Sequence, residues 1–236
     1  MKLKYYLPSR IYKPLLKIYE RFIKRHYQKS YSQEGEDLIL FRIFDVKVSK
    51  GFYVDVGAHH PKRFSNTYLF YKKGWRGINI EPMPGSKKIF DKYRPEDINI
   101  EIPISDKEEE LTYYMFNDPA LNGFSKEISQ QRDELKDYKI IKTVNLKTRT
   151  LGSILKEFLP AGQKIDMLSI DVEGLDLKVL KSNDWDKYNP TIILVEDKYF
   201  TFESPHSSDV FDYLQKLNYK LISKSEKTLF FEKYCD

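Results

Sequence analysis

Five apolar runs in this sequence end on residues that can do chemistry. "GFYVDVGAHH" (51–60) sets Asp55 between two valines and follows it with Gly57, Ala58, His59 and His60. "NIEP" ends on Glu81 and Pro82, "ISD" on Ser105 and Asp106, "SIDVEG" on Asp171 and Glu173, and "LVED" on Glu196 and Asp197. A carboxylate can accept hydrogen bonds from ligand hydroxyls, take a proton or hold a cation. An imidazole, with an ordinary pKa of ~6.5, can take a proton near neutrality. One acid after an apolar run is often only a helix cap. Five in succession point to a ligand site.

The elements around these residues alternate. "GFYVDVGA", "WRGINIEP" and "INIEIPIS" read as strands, with helices over "SNTYLFYKKG" and "GSKKIFDKYR" between them. Ser65 is the expected N-cap of the first helix, with Asn66 and Thr67 beside it, and Gly74 its stop. Strand–helix alternation resumes with "TLGSILKEFLP", "KIDMLSIDVEG", "LDLKVLKS", "PTIILVED" and "SSDVFDYLQKLNY". The chain ends in a β-hairpin around "KSEK". Ahead of the first strand, "YSQEGEDLILFRIF" predicts a helix start, from which Gln33, Glu36 and Asp37 fold over the ligand. Between 111 and 148, "ELTYYMF" and "KTVNLKTRT" read as strands flanking a loop and a polar helix. The predicted fold class is α/β: a three-layer, doubly wound, mostly parallel Rossmann-like sheet with a C-terminal antiparallel hairpin, the class I methyltransferase architecture. Ligands of such sheets bind beyond the carboxyl ends of the strands.

The turn after the first strand narrows the ligand. "GAHHPKRFS" holds Gly57 alone, not the Gly-x-Gly-x-x-Gly of dinucleotide sites, and no Gly-x-x-x-x-Gly-Lys-Ser/Thr phosphate loop is present. A ligand with a cationic head and no phosphate fits better, and S-adenosylmethionine is one. Gly57 and Ala58 then face its amino-acid end, Glu81 with Pro82 its ribose hydroxyls, and Asp106 with Ser105 its adenine. Asp55, Asn66 and Asp171 complete the expected cofactor wall.

Composition bounds the rest. The chain has 236 residues, 41% hydrophobic and 32% charged, with 18 Tyr and 15 Phe. That length suits one domain. Its single cysteine, Cys235, allows no internal disulfide and fits a reducing compartment. Residues 1–29 carry nine Lys or Arg against one acid, Glu20, while the whole chain is only +5. The domain body is therefore acidic, which argues against nucleic acid as partner. The expected division is a basic amphipathic arm, 1–30, and one catalytic domain, 31–236. In the arm Leu15, Ile18, Tyr19, Phe22 and Ile23 fall at helical spacing. That predicts either a helix packed on the domain, or a basic tail, or a helix on an anionic membrane surface. A cytoplasmic location, peripheral on the inner face of the membrane in the last case, is expected. A homodimer is left open.

The quoted motifs resemble one family. "YSQEGEDLIL", "GFYVDVGAHHPKRFSNTYLFYKKGWRGINIEP", "ISD" and "IDVEGLDLKVLKS" together are similar to the FkbM family of S-adenosylmethionine-dependent methyltransferases, in order over about residues 31–198. The resemblance implies O-methylation of hydroxyls on sugars or polyketide-type natural products, with a surface polysaccharide or related glycan as acceptor. The alternatives are a methyltransferase acting on lipid or protein, and a non-catalytic scaffold on the same fold. Where family members commonly carry His-Glu after "DVEG", this chain has Leu175 and Asp176. Residues 111–148 match no family motif and are expected to shape the acceptor pocket.

An alcohol is a weak nucleophile at neutral pH, so a base or a metal should assist. His59, His60, Asp171 and Glu173 are the base candidates. Asp171, Glu196 and Asp197 are the candidate ligands of Mg2+ or another hard cation, which favours oxygen donors. A nucleic-acid methyltransferase often carries Asn/Asp-Pro-Pro-Tyr/Phe after the fourth strand, where this chain has "DVEG".

Overall fold

In the computed structural model, residues 8–19, 28–44 and 50–234 are described. Phe22, Ile23 and Cys235 lie outside them. The chain forms two compact units, Met1–Ser30 and Tyr31–Asp236. Among the described residues the first contributes α1 (Ser9–Tyr19), a helix with no buried residue.

The second unit is built on β1 (Phe52–Val56), all five of whose residues are buried. A strand covered on both faces needs apolar residues at every position, and its alternation sends them to opposite sides. Phe52, Val54 and Val56 join one core, and Tyr53 joins the other. β6 (Met167–Ile170) is likewise buried throughout, β2 (Arg76–Ile80) and β7 (Ile192–Glu196) at all but one end residue, and the edge strand β3 (Ile98–Ile100) only at Asn99. The intervening ribbon strands are β4 (Glu110–Phe116) and β5 (Ile140–Lys147), and the last strands are β8 (Tyr219–Lys224) and β9 (Thr228–Lys233).

The seven-stranded sheet has the order β3-β2-β1-β6-β7-β9-β8. The first five strands are parallel. β9 runs antiparallel to β7, and β8 to β9. The predicted class I methyltransferase architecture is therefore present, with its switch point between β1 and β6. On one face lie α2 (Glu36–Ile43) and α3 (Tyr68–Lys72), which contribute Leu40 and Phe70. On the other lie α6 (Leu151–Phe158), α7 (Asp176–Lys181) and α8 (Asp209–Lys216). α4 (Ser86–Tyr93) precedes β3, and α5 (Lys126–Asp133) lies between β4 and β5.

Three expectations change. The third strand stops at Ile100, because Pro103 has no N–H to continue a ladder, and Ile104 makes only a single bridge with Arg149. The two middle strands, β4 and β5, pair with each other in a separate antiparallel ribbon. Ser65 does not cap α3 as its N-cap residue. Thr67 holds that place, while Ser65 Oγ accepts the Tyr68 N–H at 3.1 Å.

One row across the sheet is polar. Asn99, Asn79, Asp55 and Ser169 stand in register on neighbouring strands, and all are buried. Buried polar groups need partners. Arg94, fully buried after α4, supplies several. Its Nε meets Asp97 Oδ2 at 2.7 Å, its Nη2 the Tyr53 hydroxyl at 2.6 Å, and its Nη1 Thr67 Oγ1 at 3.0 Å. Thr67 in turn donates to Asp55 Oδ2 at 2.6 Å. The strand-tip carboxylate is thus held by a chain of contacts reaching back under the sheet.

Candidate functional site

Beyond the carboxyl ends of β1, β2, β6 and β7 opens a cleft of about 1110 Å³, its mouth included. Asp55, Gly57, Ala58 and His59 form its wall from the first strand tip. Gly57 has φ +79°, and a Cβ there would lie 1.8 Å from the Asp171 carbonyl oxygen. Only glycine lets the β1 and β6 tips close up in this way.

Glu81 follows β2 and is 7% exposed. Its Oε2 accepts the His59 N–H at 2.8 Å and its Oε1 the Met83 N–H at 2.9 Å. Burial raises its pKa to about 7 against those two donors. The Tyr113 hydroxyl is also within hydrogen-bonding reach of it, and a carboxylate's roughly four acceptor sites leave capacity for a ligand hydroxyl. Tyr113, from β4, stands against it, and its phenol is pushed up by burial and by Glu81.

The two histidines divide. His60 Nδ1 accepts the backbone N–H groups of Lys62 and Arg63, each at 3.0 Å, so it organises the turn. His59, in the left-handed region at φ 52°, lines the cleft. Its Nε2 is buried and lacks a hydrogen-bond partner. Burial, with Arg63 and His60 nearby, lowers its pKa to about 4. The ring is neutral at pH 7.

Asp171, Glu173 and Glu196 converge, with one oxygen of each within 4.8 Å of the others. Glu173 Oε2 is paired with Arg132 at 2.6 Å and with Lys198 at 3.2 Å, and Glu196 Oε2 with Lys198 at 3.1 Å. Enclosure works against the Lys198 ammonium, but Glu173 and Glu196 outweigh it and raise its pKa. No salt bridge or side-chain hydrogen bond ties down the Asp171 carboxylate among the described residues. The residue is exposed to the cleft, and partial loss of hydration against the wall, then Glu196, Asp176 and Glu173, push its pKa well up. Asp197 is not part of this cluster. It follows Glu196 on the opposite side of the strand, where Ser208 Oγ and the Tyr199 N–H, the latter at 2.7 Å, occupy it. The arrangement does not fit a resident Mg2+: two of the three carboxylates already hold cations of the chain, and the ammonium sits between them.

Most predicted wall residues meet here. Gln33, Glu36, Asn66 and Pro82 line the cleft with those already named. Ser105 and Asp106 do not. They follow the early end of β3, and Ser105 Oγ is turned onto Asp106 Oδ1 at 3.1 Å. Ile102, Pro103 and Ile104 face the cleft instead. Asp37 is also withdrawn, accepting the Tyr31 N–H at 2.7 Å and the Ser32 hydroxyl at 3.0 Å. Asp176 clamps the "DVEG" turn by accepting the Val172 and Gly174 N–H groups, each at 3.0 Å. Tyr113, Asn122, Gly123 and Phe124 also line the cleft. Sequence reasoning missed them individually, since no motif marks them. Lys227 and Thr228, from the final hairpin, were missed for the same reason.

A family profile described as the methyltransferase FkbM domain matches residues 55–221. No curated protein gives a significant sequence match. Among solved structures, the chain is similar to a TehB-like SAM-dependent methyltransferase from Corynebacterium glutamicum. Identity is 10% and the TM-score 0.39, over 96% of this chain and 100% of that one. A likeness that distant says nothing about the site.

Proposed function

Because this chain belongs to the FkbM family of methyltransferases, we propose that its acceptor is a hydroxyl of a saccharide or glycan. It is an S-adenosylmethionine-dependent enzyme of that family. When bound, S-adenosylmethionine supplies an electrophilic methyl group on a cationic sulfur. Glu81, with the acceptor capacity its backbone and Tyr113 contacts leave, holds the ribose hydroxyls. Asp55 and Asn66 orient the amino-acid end beside Gly57. Ile102 and Ile104 give an apolar wall to the adenine.

One observation carries the acceptor reading: one polar group of the cleft, His59 Nε2, is buried without a hydrogen-bond partner, and the Asp171 carboxylate stands exposed in the same cleft. An unmet polar group in an enclosed site is costly unless a ligand satisfies it. Neighbouring hydroxyls of a sugar do so. Asp171 is the base of choice, because it lines the cleft and no salt bridge or side-chain hydrogen bond holds its carboxylate among the described residues. His59, neutral, orients the acceptor. Glu173, fixed by Arg132 and Lys198, places the Asp171 turn.

The test begins with isothermal titration of S-adenosylhomocysteine into wild type and Glu81→Ala, expecting binding that the variant loses. Oligosaccharides are then screened by mass spectrometry for methylation, with and without EDTA. Asp171→Asn should keep the titration signal and lose at least ~100-fold in turnover. Methylation of lipid or peptide, with glycans inert, would refute the acceptor assignment.

A further inference from the structure

The helix of the arm, α1, is sharply two-sided. At 100° per residue, Ile11, Leu15 and Ile18 fall within about 60° of one another, and Arg10, Lys13 and Lys17 group on the other side. The three apolar side chains are 51%, 46% and 55% exposed. Ser9–Tyr19 contains no acid, and residues 1–29 hold nine cations and one anion. A helix lying in a protein groove usually turns a mixed-sign face to solvent. An all-cationic face behind an exposed apolar one asks for a surface that is apolar inside and anionic at its rim.

We propose that this arm docks the enzyme on an anionic phospholipid bilayer, with α1 in the plane of the interface. Ile11, Leu15 and Ile18 enter the headgroup–acyl boundary, while Arg10, Lys13 and Lys17 reach the phosphates with their stems along the apolar layer. Pro14, inside the helix, removes one backbone donor and leaves the Arg10 carbonyl to the polar interface. No helix of the described residues is long and apolar enough to cross a membrane, so the contact is peripheral. This inference is independent of the acceptor reading.

The test is co-sedimentation of the full chain with vesicles of phosphatidylcholine alone or mixed with phosphatidylglycerol. The three cations of α1 alone should strengthen partition onto anionic vesicles about 100-fold. Raising salt from about 0.1 M to about 1 M, where the Debye length falls from ~10 to ~3 Å, should abolish that gain. Leu15→Ser/Ile18→Ser, which leaves the charge unchanged, should lose at least about tenfold in binding, with melting temperature and S-adenosylhomocysteine titration unchanged. Equal binding to both vesicle types overturns the proposal. So does undiminished binding by the double variant, which would mean charge alone or another surface. A fall of several degrees in its melting temperature also overturns it, showing that the protein itself covers the face.

Discussion

Replacing Arg94 by Met tests how the site is held from beneath. The guanidinium is fully buried and meets Asp97, Tyr53 and Thr67. Methionine keeps much of the stem's packing but leaves Asp97, whose side chain has 0% exposure, without its countercharge. Breaking a buried pair from one side costs about 3–5 kcal/mol. Asp97 would still accept from the Gly77 N–H at 3.0 Å, Asn79 Nδ2 at 3.0 Å and the Tyr53 hydroxyl at 2.6 Å. Those donors put the loss at the lower end, about 3 kcal/mol. For a domain of this size that is a fall of ~6–12 °C in melting temperature. Arg94 also acts through Thr67 on Asp55, so S-adenosylhomocysteine affinity should weaken several-fold even in protein folded at low temperature. Urea unfolding with an unchanged slope and calorimetric titration read the two effects. Adding Asp97→Asn should recover part of the stability, because the stranded charge is gone. A loss below about 1 kcal/mol, or a double variant as unstable as the sum of its singles, would refute the account of a desolvated, coupled pair.

Other outcomes follow from single contacts. Glu81 accepts ligand hydroxyls best when ionised, and its pKa is near 7. S-adenosylhomocysteine affinity should therefore fall as pH drops below about 7, by up to tenfold per unit, and Glu81→Gln should flatten the profile in titrations. The same raised pKa has the opposite effect on ligand-free stability. Its contribution is full below the unfolded value of 4.5 and lost as pH rises through 7, by ~3 kcal/mol, which chemical unfolding across pH will measure. Gly57→Ala puts a Cβ against the Asp171 carbonyl at positive φ and should cost at least ~3 kcal/mol, seen as loss of the cooperative melt. His60→Ala should cost about 1 kcal/mol with turnover retained. His59→Ala should leave stability nearly unchanged and raise the acceptor KM, so the pair separates turn from site in steady-state kinetics.

Much of this protein was legible in one dimension. Short apolar runs alternating with helical segments, tipped by Asp, Glu or Gly, announce a parallel sheet and the end at which its ligand sits, because run length and strand polarity are local properties. Asp55, Gly57, Glu81 and Asp171 could be named for that reason. Tertiary structure decided the rest. It gave His60 to the turn, where its ring takes the Lys62 and Arg63 N–H groups, and His59 to the cleft, where distant Glu81 holds its backbone N–H. It withdrew Asp106, because the strand before it ends early at a proline-bearing segment, and Asp197, because one step along a chain reverses the side. It set Lys198 between Glu173 and Glu196, where free carboxylates suggested a metal. Ion pairs across 25 residues, like the contacts of Tyr113 from an unpatterned ribbon, leave no periodic trace in the chain. They exist only once the sheet has brought their ends together.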